Sequence, residues 1–306
     1  MTASTPAAAP ALSKGAVFAR RLISSIALWT VVIGALFSPN AYVSGCFFLG
    51  IMMLLAGTGL REFYGLVEQR GLVCFRRLGV FGGLLLMGAT FAYLQLSRRP
   101  GGDLMAAQAN DFETTFLILF VLGLCLRQFF SRTNTAGILA ISTTLFGLMY
   151  VPWLLNFIQK INFFPGADGR FYLIYFLVLT KFSDMGAYVI GSLFGRHKMI
   201  PRISPGKTWE GFGGAVLFSV GASLAFCTFA PQRLAGLTPP HAVVLGVLLC
   251  VGAVVGDLIE SLFKREAGVK DSGRLFPGIG GILDLLDSIL FNAPIMYLYL
   301  RHVLTR

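Results

Sequence analysis

Nine mostly apolar stretches, most of them near the length needed to cross a bilayer, leave this chain few folds. They run over residues 22–37, 43–60, 78–96, 112–126, 136–158, 171–190, 211–230, 242–263 and 282–300, the fourth being the shortest. A spanning helix needs about 20 apolar residues to cross a hydrocarbon layer about 30 Å thick, and a helix satisfies its own backbone hydrogen bonds there. The expected fold is all-α, a polytopic transmembrane bundle of about nine spans. Composition agrees: 56% of the 306 residues are hydrophobic and 13% are charged, about half the charged share of a soluble domain.

The net charge of +11 would suit a nucleic-acid binder, but its distribution points to a membrane. With the N-terminus placed inside, 17 Lys and Arg fall on the inner side, 7 fall on the outer side, and Lys181 lies within a span. That asymmetry predicts N-terminus in and C-terminus out, with basic loops that attract anionic head groups. No nucleic-acid partner is expected. Residues 1–19 open with an Ala/Pro/Ser/Thr-rich stretch and read as a disordered tail. The apolar run behind them reads as a retained first helix, not a cleaved signal. Five scattered cysteines without a CxxC, and the three distant histidines His197, His241 and His302, give no support to zinc or a disulfide framework.

The two halves differ. Residues 20–170, about five spans, carry almost no ionisable residues inside the spans and read as scaffold. Glu62, in LREFYGL, could be a site residue, but a helix-end carboxylate paired with Arg61 or a neighbour is the stronger reading. Residues 171–306, about four spans, read as the catalytic half, with cytoplasmic loops 191–210 and 264–281. Asp184 lies late in the sixth span, Asp257 late in the eighth, and Asp284 and Asp287 open the ninth. A carboxylate in hydrocarbon costs several kcal/mol and needs a partner and a role. The orientation drawn from Lys and Arg alone puts all four at the cytoplasmic end.

Asp257, Ser261 and Lys264 are spaced i, i+4, i+7, and Glu260 lies close to the same helix face. The plain alternative is a buried Asp–Lys pair joining two helices. Asp284 and Asp287, at i and i+3, can face one point. With Asp257 they could cage a hard cation such as Mg²⁺, which prefers carboxylate oxygens and shares phosphate ligands; Asp284 could instead cap its own helix. Lys264, Arg265, Lys270 and Arg274 supply cations, and the PGIGG stretch at 277–281 offers backbone N–H groups suited to phosphate. In ISPGKTWEG, residues 203–211, the GKT fragment is no phosphate-binding P-loop, because Pro201 stands where the first Gly is needed. Ser204, Lys207 and Thr208 could contact phosphate or nucleotide, or Ser204 or Thr208 could cap the next helix. Asp184 could pair with Lys181 one turn earlier.

Together these motifs resemble the bacterial phosphatidate cytidylyltransferase (CDP-diacylglycerol synthase) family. Its long signature is matched by Ser261, Lys264, Arg265, Lys270, Asp271, Gly273, Pro277, Gly278, Gly280, Gly281, Asp284, Asp287 and Ser288, with Gly256, Asp257 and Glu260 upstream. Asp184–Tyr188 and the ISPGKTWEG stretch resemble two further family motifs. Ile279 stands where the family usually has His, and Leu285 where it usually has Arg.

The resemblance implies a bacterial inner-membrane enzyme that makes CDP-diacylglycerol and pyrophosphate from CTP and phosphatidate. The expected catalytic residues are Asp257, Lys264, Arg265 and Asp284. Substrate contacts are expected from Ser204, Lys207, Thr208, Ser261, Lys270 and Asp271. Mg²⁺ or another divalent cation is expected on Asp257, Asp284, Asp287 and Asp184. A homodimer is compatible with the sequence but carried by no motif. An ion-coupled transporter using the same aspartates is the rival reading; it would need a polar path across the whole bilayer, whereas the acids gather at one end.

Overall fold

The computed structural model describes residues 29–31, 33–34, 36–97, 103–131, 136–273 and 280–305. Among these, eight helices are long and apolar enough to cross a membrane: α1 (Ala41–Gln69), α2 (Arg76–Ser97), α3 (Asp103–Phe129), α4 (Gly137–Asn162), α5 (Gly169–Phe194), α6 (Trp209–Phe229), α7 (Pro239–Glu266) and α8 (Ile282–Leu304). They correspond in order to the second through ninth expected spans. Of the first, the residues described from 29 to 37 are helical up to Phe37. Residues 22–28, the tail 1–19, and Arg274, Pro277, Gly278 and Ile279 lie outside the described residues.

A two-stranded antiparallel hairpin, β1 (Lys198–Ile200) and β2 (Ser204–Thr208), joins α5 to α6. The outward face is strongly apolar: Phe129, Ile138 and Phe229 are each at least 80% exposed. A bilayer solvates such a surface.

Helix ends follow local chemistry. The Asn40 side chain accepts from the backbone of Tyr42 and Val43 to start α1. Midway along α4 a π-turn at Met149–Trp153 carries Pro152, the local widening that accommodates a residue lacking an N–H. Small residues let helices touch. A methyl on Gly186 of α5 would meet the Gly214 carbonyl of α6 at 2.5 Å, and one on Gly214 would meet the Gly186 carbonyl at 2.6 Å. α8 is the hub, packing against α7 and α5 of the second half and α4 and α1 of the first.

The first half is not free of buried charge. Lys160 of α4 lies 2.6 Å from Glu113 of α3, their side chains 7% and 6% exposed. Asn110 accepts from Lys160 at 3.0 Å, while Asn156 and Thr90 donate to Glu113 at 3.2 and 3.4 Å. The sequence pattern separated the pair, because Lys160 follows the apolar run that ended at 158, whereas α4 continues to Asn162.

Candidate active site

The end of α7 and the start of α8 meet at one end of the bundle, beside the hairpin. Their approach depends on glycine: a methyl on Gly256 would run into the Asp287 carbonyl, and one on Gly252 into the Asn292 side chain. Asn292 locks this crossing by donating to the Leu249 carbonyl at 2.8 Å and to Thr180 of α5 at 3.0 Å. With the backbones this close, Asp257, Glu260 and Asp287 bring carboxylate oxygens within 4.8 Å of one another. Glu260 is fully buried, and its Oε2 is paired with the Lys264 ammonium one turn on.

Asp257, Glu260 and Asp287 are thus carboxylates that could together hold a divalent cation, which prefers such oxygens. Glu260 was not singled out as a ligand from the sequence, although it is three residues from Asp257 and near its helix face. Asp184 of α5 stands close enough for its charge to act on Asp257 and Asp287, and Lys181 lies 3.3 Å from it.

Asp284, expected among the ligands, has both oxygens engaged. Oδ1 accepts from Lys264 at 2.6 Å. Oδ2 accepts from the Gly281 N–H at 2.7 Å and from the N–H and hydroxyl of Ser272 at 3.1 and 2.9 Å. Asp284 thus caps its own helix and anchors Lys264. The next two N–H groups of α8 are also taken: Glu62 of α1 accepts from Ile282 at 3.0 Å and Leu283 at 2.8 Å. Of the N–H groups that the sequence offered to phosphate, that of Gly281 is taken by Asp284, and those of Gly278 and Ile279 lie outside the described residues.

Lys264, between Glu260 and Asp284, is one cation of the site. Lys207 of β2 is the other: its Nζ lies 2.8 Å from Asp257 and donates to the Val254 carbonyl at 3.0 Å. The buried Asp–Lys pair foreseen as joining two helices is that of Lys264 with Asp284, between α7 and α8; Lys207 adds a second pair, between α7 and the hairpin. Ser261 points at Asp257 over a long 3.4 Å. Thr208 is the N-cap of α6, accepting from Gly211 at 3.1 Å, and Ser204 pairs with Ile200 in the hairpin. Arg265 donates to the Ile203 carbonyl at 3.3 Å, tying the end of α7 to the same hairpin. Lys270 and Asp271 are exposed on the loop. Glu210 braces the turn out of α5, accepting from the Arg196 and His197 N–H groups and lying 2.5 Å from the His197 ring.

The site thus combines three clustered carboxylates, two buttressed lysines and a basic rim at one end of membrane helices. Comparison with known proteins finds relatives of this chain. A phosphatidate cytidylyltransferase of Mycobacterium bovis is 39% identical over 160 residues, 52% of this chain and 50% of the relative. One of Haemophilus influenzae is 42% identical over 127 residues, 41% of this chain and 44% of the relative. One of Staphylococcus haemolyticus is 29% identical over 274 residues, 89% of this chain and 97% of the relative. The match to the first two spans about half of their length. A sequence profile of the cytidylyltransferase family matches residues 20–303, nearly the whole chain, and the chain therefore belongs to that family.

Proposed function

We propose that this multi-pass membrane protein transfers the cytidylyl group of CTP to phosphatidate, giving CDP-diacylglycerol and pyrophosphate. One observation carries the proposal: Asp257, Glu260 and Asp287 cluster between two membrane helices and are flanked by Lys207 and Lys264. In the reaction a phosphate oxygen of phosphatidate attacks the α-phosphorus of CTP, the α–β bridging P–O bond breaks, and pyrophosphate leaves in line. Phosphatidate is already anionic, so no base is needed. The protein's task is to position the reactants and neutralise charge.

Lys264 is suited to that task because Glu260 and Asp284 hold its ammonium in place before substrate arrives, and preorganised charge is the most effective kind. Lys207 brings a second ammonium from the hairpin. Arg265 and Lys270 form an exposed basic rim that gathers triphosphate and anionic head groups. Thr208 and Ser204 act by shaping the hairpin that carries Lys207. Asp257, Glu260 and Asp287, with Asp184 nearby, would hold Mg²⁺ or another divalent cation, which supplies further neutralisation of phosphate charge. The excess of Lys and Arg on this side supports a cytoplasm-facing site in a bacterial inner membrane, where CTP arrives from water and phosphatidate from the bilayer. The family match favours transfer over the ion-coupled transporter.

The test is direct. Detergent-purified protein given phosphatidate, Mg²⁺ and labelled CTP should produce labelled lipid and pyrophosphate in equal amounts. Asp257→Asn and Asp287→Asn should each lower transfer by about 100-fold or more. No labelled lipid from the unaltered protein would overturn the proposal.

A further inference from the structure

We infer that Glu62, in the half of the chain read as scaffold, is a positioning residue of the transferase site: it clamps the start of α8 and the loop before it, fixing Asp284 and, through it, Lys264. The inference rests on the proposed activity. Glu62 sits near the far end of α1, beyond the apolar run that marked the span, and its partners belong to the other half of the protein, not to neighbouring Arg61. One oxygen accepts from the Ile282 N–H at 3.0 Å; the other accepts from the Leu283 N–H at 2.8 Å and lies 3.2 Å from the Ser272 hydroxyl. That hydroxyl is also 2.9 Å from Asp284 Oδ2. A serine has one hydroxyl proton, so Glu62 and Asp284 share it, and displacing either carboxylate alters what holds the other.

The surrounding backbone is shaped to admit this carboxylate. A methyl on Gly273 would overlap Glu62, whose atoms are the three nearest to it, and one on Gly281 would meet Ser272 and Glu62. Gly273 and Gly281 thus let the backbone approach this one side chain closely. Charge completes the case: a carboxylate over the first N–H groups of a helix is stabilised by the positive end of its dipole, and here it occupies positions that phosphate could otherwise take.

Kinetics of the full-length enzyme in detergent test the clamp. Glu62→Ala should lower kcat about 10- to 100-fold, with the KM for CTP within about threefold, because the loss falls on transition-state geometry and not on binding. Glu62→Gln, which keeps one acceptor but sets an amide against an N–H, should fall in between. Gly273→Ala should reproduce the loss, and in the Glu62→Ala background it should add almost nothing, since the side chain it collides with is gone. Glu68→Gln, on the same helix in an exposed pair with Arg76, should leave kcat unchanged.

Four results would overturn the inference: Glu62→Ala at full kcat; a rise in kcat or a tighter CTP KM, which would make Glu62 a plug; lower thermal stability with unchanged kcat per folded molecule; or additive losses in the Glu62–Gly273 cycle. If Glu62→Ala does not fold, Glu62→Gln and Gly273→Ala carry the same test. An unaltered enzyme without CTP-dependent transfer would refute the proposed activity itself, which separates that failure from failure of the clamp.

Discussion

Lys264 shows how a single ammonium can be held ready in a membrane protein. It contacts Glu260 one turn back and Asp284 across the helix crossing, so its position is set by two helices at once. Replacing it with Met should lower kcat/KM by about 100- to 1000-fold, as loss of a preorganised charge does elsewhere. Arg, with its planar fork, should restore little of that loss; steady-state kinetics of the two variants check both statements. The sequence placed Asp257 and Lys264 on one helix face, with a buried Asp–Lys pair joining two helices as the plain alternative. Two helical turns put their backbones about 10 Å apart, and the actual partner of Asp257 is Lys207, 50 positions earlier and 2.8 Å away. Local periodicity shows which face a residue shares, but not which distant strand will be laid against it. Glu62 was assigned to Arg61 or a neighbour for the same reason: its partners lie more than 200 positions away.

At the level of helices, the spans themselves were readable because hydrocarbon demands continuous apolar sequence. Their ends were not. α1 runs to Gln69, nine residues past the apolar stretch that marked it, and that charged extension carries Glu62. The contact between α7 and α8 makes a second prediction. Gly256→Ala would press a methyl into the Asp287 backbone, separating the helices that bear the clustered carboxylates. Stability should fall by about 1–3 kcal/mol and the Mg²⁺ concentration for half-maximal transfer should rise about tenfold, read by thermal melting and by metal titration of activity. The buried pair between α3 and α4 makes a third. Lys160→Ala leaves Glu113 without its cation and should destabilise the protein by about 3–5 kcal/mol, whereas the double change Glu113→Gln with Lys160→Met should be far milder. Melting of the three variants in one detergent distinguishes these outcomes.

Across the whole molecule, the carboxylates proposed to hold a cation lie at one end of a bundle whose apolar core of Leu, Phe and Tyr side chains extends through both halves. Removing divalent cations with a chelator should therefore abolish transfer while leaving helix content and melting temperature nearly unchanged; restoring Mg²⁺ should restore activity. A large drop in melting temperature would mean that the ion is structural. The clamp has one more consequence, in the order of events during synthesis. Glu62 leaves the ribosome early, and the N–H groups it must grip belong to Ile282 and Leu283, 220 and 221 positions later. Until the closing helix has entered the bilayer, the early helices wait with an unmatched carboxylate. A chain halted before α8 therefore lacks the N–H groups that Glu62 grips, and the clamp is complete only once Ile282 and Leu283 have been made.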